Sequence, residues 1–329
     1  MMKMTKNCLV TGAAGFIGSN LCKFLKDKAY WVRGVDIRVP EFMHTEDIVD
    51  EWVTLDLRAW DNCVQATKDI DHVYNLAANM GGIGYITAVH AEVASDNIRI
   101  NANMLEASRV NHIERFFFSS SACVYPVYKQ TSPNIPPLKE SDAYPADPDN
   151  EYGWEKLFTE RLCMNYAKDY GMTCRIARYH NIYGPRGTWA GGREKSPAAL
   201  CRKVAEAPDG GTITIWGDGK QTRSFCYIDD CLEGTYRLMM SNHDQPLNIG
   251  SERMITIDDL ADIIIRISGK DLHKTYDLRK PQGVRGRASD NTMAKRILNW
   301  EPQVPLEQGL ARTYAWIKGQ VREHARVLQ

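Results

Sequence analysis

The sequence lacks several features that would indicate particular classes of protein. Its nine cysteines are an odd number without any CxxC pair, which argues against a disulfide framework and a zinc site. Its 41 basic residues balance 41 acidic ones, so neither nucleic acid nor a membrane surface is indicated as a partner. No apolar run approaches the roughly 18 residues that span a bilayer. The N-terminal stretch lacks the apolar core of a signal peptide, so we expect a cytoplasmic protein. From the cysteine pattern we expect no metal centre.

The first half of the chain alternates short apolar strands with helical patterns. We predict strands at 8–10, 31–35, 73–76, 115–118 and 173–178, and residues 16–27 have apolar side chains at helical spacing. This alternation predicts an α/β fold with a Rossmann-type, doubly wound parallel sheet. Glycine and proline become frequent after about residue 180. We therefore expect a first domain at 1–180, with segments near 221–250 returning to it, and a smaller, mainly C-terminal substrate lobe at 181–329.

A glycine-rich turn follows the first predicted strand and opens the first helix. Gly12, Gly15 and Gly18 give the spacing G-x-x-G-x-x-G, a variant of the commoner dinucleotide fingerprint. Glycines allow the tight turn and let a pyrophosphate approach the backbone N–H groups of Phe16 and Ile17 at the positive end of the helix. A merely structural glycine turn is the alternative, but the strand–turn–helix context favours a dinucleotide site.

An acidic residue and a small residue at later strand ends support NAD as the dinucleotide. Asp36 closes the second strand, 18 residues after Gly18. A carboxylate at this place accepts hydrogen bonds from a ribose diol and repels a 2′-phosphate, which favours NAD over NADP. Ala77, at the end of a later strand, permits close approach to the cofactor.

Tyr152 and Lys156 are four residues apart and therefore on one face of a predicted helix. An ammonium near a phenol stabilises the phenolate and lowers its pKa from about 10, so Tyr152 can take the proton of a sugar hydroxyl while hydride leaves the same carbon. A surface helix with an ordinary lysine is the alternative. Ser121 follows the predicted strand 115–118, and we expect it to hydrogen-bond the substrate oxygen beside Tyr152.

Together these motifs resemble the extended short-chain dehydrogenase/reductases that act on nucleotide sugars, the NAD-dependent epimerase/dehydratase family. Further motifs resemble the branch that inverts C3 and C5 of GDP-mannose, and they lie at 79–82, 121–126, 178–185, 191–195, 221–225 and 283–287. The resemblance implies an isomerase that holds NAD tightly, takes GDP-mannose or a close GDP-hexose, and has no net redox change. It also implies that Asp56 contacts the adenine, with a plain loop carboxylate as the alternative.

A cysteine and a lysine within these motifs suit proton transfer at carbon. Once C4 is a ketone, the protons on C3 and C5 can leave, and inversion requires groups on opposite faces of the ring. Cys123, a thiol with an ordinary pKa near 8.5, suits one face and Lys195 the other. Lys195 precedes a predicted helix, capped by Ser196 and begun by Pro197, whose dipole favours loss of its charge. The resemblance implies Cys123 as base and Lys195 as acid, with their roles at each carbon left open.

Both residues also have ordinary interpretations. A free cysteine such as Cys123 is most often a small buried hydrophobe, and Lys195 is otherwise a surface lysine. The same holds for Arg223 and Arg287, which we predict to clamp phosphate or ribose oxygens but which are otherwise solvated charges. The other predicted substrate residues are glycine, polar or charged: Gly81, Asn181, Glu194, Lys203 and Gln221.

The amphipathic stretch 89–110 and the helix around Tyr152 suggest a homodimer through paired helices, with internal packing as the alternative. Two other functions stay open. A 4-epimerase or dehydratase of UDP- or dTDP-sugars is one, although Ala122-Cys123 stands where a dehydratase has Asp-Glu. A non-catalytic NAD sensor is the other, although the intact Ser121, Tyr152 and Lys156 argue against it.

Overall fold

The computed structural model describes residues 6–327 and is built on a seven-stranded sheet. All of its strands are parallel, and across the sheet they are β3 (Glu51–Thr54), β2 (Trp31–Asp36), β1 (Asn7–Thr11), β4 (His72–Asn75), β5 (Arg115–Ser121), β6 (Cys174–Tyr179) and β11 (Pro246–Ile249). The chain runs outward from β1 in both directions, so the predicted doubly wound α/β fold is confirmed.

Helices cover both faces of the sheet. On one face lie α1 (Phe16–Asp27) and α8 (Ile228–Met240), and on the other lie α3 (Trp60–Thr67), α5 (Ala91–Val110) and α6 (Glu151–Tyr170). The run Phe116–Phe118 shows why both faces need covering. Phe117 packs in the apolar cluster that contains α1 and α8, whereas Phe116 and Phe118 pack in the cluster with α3, α5 and α6.

The remaining elements complete the molecule, most of them in the second half of the chain. They are α2 (Thr45–Ile48), α4 (Ile83–Ile86), β7 (Ile182–Tyr183), α7 (Ser196–Glu206), β8 (Thr212–Trp216), β9 (Thr222–Ser224), β10 (Cys226–Tyr227), β12 (Met254–Thr256), α9 (Ile257–Ser268), β13 (His273–Asp277), β14 (Gly286–Arg287), α10 (Thr292–Leu298) and α11 (Leu306–Val327). The strands form three small sheets, β7 with β10, β8 with β13, and β9 between β12 and β14. The division into two domains near residue 180 stays a prediction.

Two predicted boundaries are wrong by a few residues. The strand that we expected to end at residue 118 continues through Ser121, because the serine hydroxyls find partners inside the fold: Ser119 Oγ donates to the Asn75 carbonyl at 3.1 Å. The cap of α7 is Lys195 rather than Ser196, which is already the first residue of the helix. Within residues 6–327, no helix is long and apolar enough to cross a membrane.

Candidate active site

The glycine turn between β1 and α1 is packed too closely for other residues. Gly12 has φ +67°, and a Cβ there would lie 2.9 Å from the backbone of Ala77. A Cβ on Gly18 would overlap the Gly12 carbonyl oxygen. Helix α1 begins without a side-chain cap, so its first amides, at Phe16 and Ile17, have no partner within the helix. These features fit the pyrophosphate of a dinucleotide.

Two carboxylates lie along this edge of the sheet. Gly15 is the N-cap of α1, and beside it Asp36 accepts hydrogen bonds from the backbone N–H of Ala14 at 3.0 Å and of Ile37 at 2.7 Å. Burial raises the pKa of Asp36, while these N–H groups oppose the rise. Asp56 is paired with Arg58, whose Nη2 donates to Oδ2 at 2.7 Å and lowers the pKa of Asp56. The adenine contact of Asp56 stays a prediction, and Arg58 was not foreseen.

Ser121 and Cys123 lie where β5 ends. The chain continues from β5 into the short 3-10 turn Ala122–Val124, and Ser121 Oγ caps the turn by accepting from the Cys123 backbone N–H at 3.2 Å. Arg287 Nη1 donates to Cys123 Sγ at 3.4 Å. The other eight cysteines are buried, whereas Cys123 is partly exposed. Cys123 therefore lies in a polar site and is not a core residue.

The N-terminus of α6 packs directly against this turn. Asn150 Oδ1 caps the helix by accepting from the Gly153 N–H at 3.0 Å. A Cβ on Gly153 would overlap the Cys123 carbonyl oxygen, so only glycine permits this approach. The contact brings Tyr152, in the first turn of the helix, beside Ser121 and Cys123.

The environment of Tyr152 differs from the expectation. Burial raises its pKa well above the ordinary value, the charges of Glu155 and Cys123 raise it further, and a hydrogen bond with Ser121 opposes the rise. We expected Lys156 to lower this pKa, and that prediction is wrong. The main reason is the burial of the phenol, and the carboxylate of Glu155, whose Oε1 is 3.7 Å from Lys156 Nζ, adds to the rise.

Lys195 precedes the first turn of α7. The residue is exposed to solvent, but desolvation by the surrounding protein lowers the pKa of its ammonium, and the charge of Cys123 opposes the change. The predicted direction of this pKa is therefore confirmed, with burial as its main cause. The segment that carries Lys195 is held from the other side by Gly82, whose N–H donates to the Arg193 carbonyl at 2.9 Å.

Arg223 and Arg287 are register partners on the adjacent strands β9 and β14. Arg287 Nε donates to Gln130 Oε1 at 2.6 Å, while Nη2 is buried without a hydrogen bond and is 4.0 Å from Asp149 Oδ1. Burial and the charge of Arg287 lower the pKa of Arg223 to about 9. A buried and a half-buried guanidinium group side by side attract an anion such as a phosphate.

Lys203 and Gln221 gather around Trp216 at the end of β8. Lys203 Nζ donates to the Thr214 carbonyl at 2.6 Å and lies 5.6 Å from the centre of the Trp216 ring. Gln221 Nε2 donates to the Trp216 carbonyl at 3.3 Å, and its Oε1 is buried without a partner. The unused acceptor of Gln221 suits a ligand donor, and Trp216 was not foreseen.

The remaining predicted residues have structural contacts. Asn181, at φ +44°, donates from Nδ2 to the Ser224 carbonyl at 2.9 Å, next to Arg223. Glu194 accepts from Arg202 Nη2 at 3.0 Å, which holds the segment before Lys195. A Cβ on Gly81 would lie 2.8 Å from Tyr85 Cβ. Their contacts with a substrate stay predictions.

The structure brings most of the predicted reactive groups to one place. Cys123 lies within electrostatic range of Tyr152, Lys195 and Arg223, and Arg287 Nη1 donates to its sulfur. A phenol, a thiol, an amine and two guanidinium groups can perform acid–base chemistry on an anionic substrate. Glu155 is the residue here that we missed, although a stripe of polar residues at helical spacing along α6 could have revealed it: 152, 155, 156, 159 and 160.

Comparison with known proteins agrees with this geometry. Residues 8–250 match the model of the NAD dependent epimerase/dehydratase family. The GDP-mannose 3,5-epimerase 1 of Oryza sativa subsp. indica is 48% identical over 314 residues, 95% of this chain and 82% of the relative. The UDP-glucose 4-epimerase of Thermotoga maritima, solved with UDP-glucose, has a TM-score of 0.85 at 28% identity, covering 96% of this chain and 99% of that one. The UDP-glucuronic acid 4-epimerase of Bacillus cereus, solved with UDP-glucuronic acid and NAD, has a TM-score of 0.82 at 31% identity, covering 95% and 99%.

Proposed function

The chain belongs to the NAD-dependent epimerase/dehydratase family, and on that basis we propose that it inverts C5 and C3 of the hexose in GDP-mannose. The products are GDP-L-galactose, GDP-L-gulose or both. The observation that carries this proposal is the cluster at the end of β5, where the partly exposed Cys123 has its Sγ 3.4 Å from Arg287 Nη1, the first turn of α6 with Tyr152 packs on the same turn, and Lys195 lies within electrostatic range. A simple hydride transfer at C4 needs Tyr152 but neither Cys123 nor Lys195.

The first part of the reaction oxidises C4. NAD supplies the hydride acceptor and, at the end of the cycle, the hydride donor for this carbon. Tyr152 accepts the proton of the C4 hydroxyl as the C–H bond breaks, and it returns the proton when the ketone is reduced. Ser121 holds the C4 oxygen beside the phenol. The turn at Gly12 and Gly18 would hold the pyrophosphate of the cofactor, with Asp36 at its ribose.

The second part exchanges protons at the two carbons next to the ketone. Cys123 lies on the turn after β5 and Lys195 at the start of α7, so the two groups approach a bound sugar from different elements. One removes a proton and the other returns one to the opposite face. The lowered pKa of Lys195 increases its neutral fraction at working pH. Each such group is worth about 10²–10⁴-fold in rate.

The nucleotide part of the substrate requires cations and polar groups. Arg223 and Arg287 present guanidinium groups for the diphosphate, and the buried, unbonded Nη2 of Arg287 favours this role. Lys203 and Gln221 both contact Trp216, and we assign these two side chains to the nucleotide as further binding groups. We assign Gly81, Asn181 and Glu194 to the same substrate site.

Solvent exchange tests this function directly. We expect purified protein to convert GDP-mannose in deuterium oxide into products that carry deuterium at C5, and also at C3 where that carbon is inverted, as read by NMR. Unlabelled product would contradict the proposal and favour a 4-epimerase. A stable 4-keto sugar of changed mass would favour a dehydratase. The variant Tyr152→Phe is the matched control, because it should abolish both conversion and exchange.

We also propose a cytoplasmic homodimer. The nine free thiols suit a reducing compartment. On the adjacent helices α5 and α6, large apolar side chains are exposed to solvent: Ile98 by 40%, Trp154 by 48% and Phe158 by 52%. Pairing of these helices with those of a second copy would cover them.

A further inference from the structure

A buried carboxylate lies next to the lysine of the Tyr152–Lys156 pair. Glu155 is 2% exposed, and its Oε1 is 3.7 Å from Lys156 Nζ. Asn97 Nδ2 donates to Oε1 at 3.0 Å, and Asn101 Nδ2 donates to Oε2 at 3.2 Å. Since both carboxylate oxygens accept from amide donors and an ammonium is adjacent, these contacts suit the ionised form.

The two asparagines fix this carboxylate to the rest of the site. Asn101 Oδ1 accepts from Asn75 Nδ2 at 2.9 Å, and Asn75 Oδ1 accepts from Thr11 Oγ1 at 2.9 Å. The chain of hydrogen bonds therefore ends at Thr11, one residue before Gly12 of the cofactor turn. On the other side, Asn97 Nδ2 donates to the Asn79 carbonyl at 3.1 Å. Such a connected buried network holds its members in one arrangement.

The charged groups that act on the phenol come from two elements. Helix α6 contributes Glu155 and Lys156, and the turn after β5 contributes Cys123. Helix α5 adds Asp96 to the surrounding network, where it is paired with Arg58 and accepts from Asn79 Nδ2. Of these groups, Lys156 is the cation on the helix of Tyr152 itself, and Glu155 balances its charge. Burial raises the pKa of Glu155, and Lys156 opposes that rise.

We propose that Glu155 is a positioning residue for the redox pair, which holds the Lys156 ammonium in place and partly balances its charge beside Tyr152. This inference rests on the proposed function, in which Tyr152 must be ionised to accept the proton of the C4 hydroxyl and returns the same proton when C4 is reduced. Because the carboxylate offsets the charge that favours the phenolate, it sets the pH at which Tyr152 can start the cycle.

The variant Glu155→Gln tests this role, because it keeps the shape of the side chain and removes its charge. We expect the phenolate absorbance of Tyr152, measured as the difference from Tyr152→Phe, to titrate about one pH unit lower than in the unmodified protein. The acid limb of the rate of C4 oxidation, followed by NADH absorbance, should move in the same direction. Glu151→Gln is the matched control. It removes an exposed carboxylate one residue from Tyr152, paired with His90, and should move neither curve.

Two results would overturn the proposal. An unchanged titration with full activity would mean that Glu155 has no influence on Tyr152, and an unchanged titration with lost activity would mean a structural role only. If Glu155→Gln does not fold, Asn101→Ser removes one donor from the carboxylate and should move the titration in the same direction by less, and no movement would again overturn it. The titration uses no sugar, so its outcome is independent of whether GDP-mannose is the substrate.

Discussion

At the scale of single residues, Cys123 is set apart from the other cysteines by its exposure and its contact with Arg287. We predict that Cys123→Ser lowers deuterium incorporation at C3 and C5 by about 10²–10⁴-fold, because a hydroxyl is a far weaker acid than a thiol. NADH absorbance on mixing with GDP-mannose should persist, since C4 oxidation depends on Tyr152. NMR of the product and a stopped-flow trace measure the two effects.

The control for this variant is Cys174→Ala, which removes a buried thiol at the start of β6. The starts of the parallel strands lie at the opposite side of the sheet from the site, which lies where β5 ends. It should leave both signals near those of the unmodified protein. Equal loss of NADH formation and exchange in Cys123→Ser would place the thiol in binding or redox chemistry instead.

The sequence was sufficient to predict which residue types would meet at this site but not how they contact one another. Motif spacing identified Tyr152, the family resemblance added Cys123 and Lys195, and the structure brings them together. The contact of Arg287 with Cys123 was beyond reach, because it depends on the pairing of β14 with β9, elements far apart from the cysteine in sequence. The predicted direction of the Tyr152 pKa was wrong for a similar reason. Burial raises this pKa, and the extent of burial depends on packing that the spacing of Tyr152 and Lys156 does not show.

At the scale of elements, the segment containing α4 presses on the segment that carries Lys195. A Cβ on Gly82 would overlap the Glu194 carbonyl oxygen, so Gly82→Ala must displace the backbone next to Lys195. We predict that this variant loses about 10²-fold in deuterium incorporation, because a misplaced catalytic group loses alignment with the reacting carbon. Affinity for NAD, measured by calorimetry, should remain unchanged.

Gly84→Ala is the control in the same helix, since its Cβ would lie 3.5 Å from the Trp216 ring, an ordinary contact. If both variants lose deuterium incorporation equally, then any substitution in the α4 segment impairs the reaction, and displacement of Lys195 is not the cause of the loss. If neither loses exchange, the backbone of 193–195 does not depend on this contact.

Periodicity predicted the long elements well and the short ones poorly. Helix α1 and strands β1, β2, β4 and β6 were located within one or two residues, because each carries a full apolar pattern. Strand β3 was missed, since its Glu51–Thr54 is only half-buried at the sheet edge. The small sheets of the second half have strands of two to five residues, whose pairing depends on contacts distant in sequence.

At the scale of the whole molecule, alternation of strands and helices was enough to predict the sheet, because parallel strands need crossover helices and these must cover both faces. The exposed apolar face on α5 and α6 was not foreseen in detail. Phe158, on α6, is more exposed than buried. A helix with apolar residues on two sides has two surfaces to cover, and only one of them lies inside the chain.

The exposed apolar face on α5 and α6 predicts a dimer, which can be tested by measuring the mass of the assembly. Light scattering should give the unmodified protein a mass of two chains of 37.3 kDa. Phe158→Glu should give the mass of one chain, because a carboxylate buried in an apolar interface without a partner is costly to desolvate. Leu278→Glu adds the same charge at a side chain that is 68% exposed outside α5 and α6, and it should leave the mass of two chains. A single-chain mass for the unmodified protein, or a two-chain mass for Phe158→Glu, would place the interface elsewhere or exclude it.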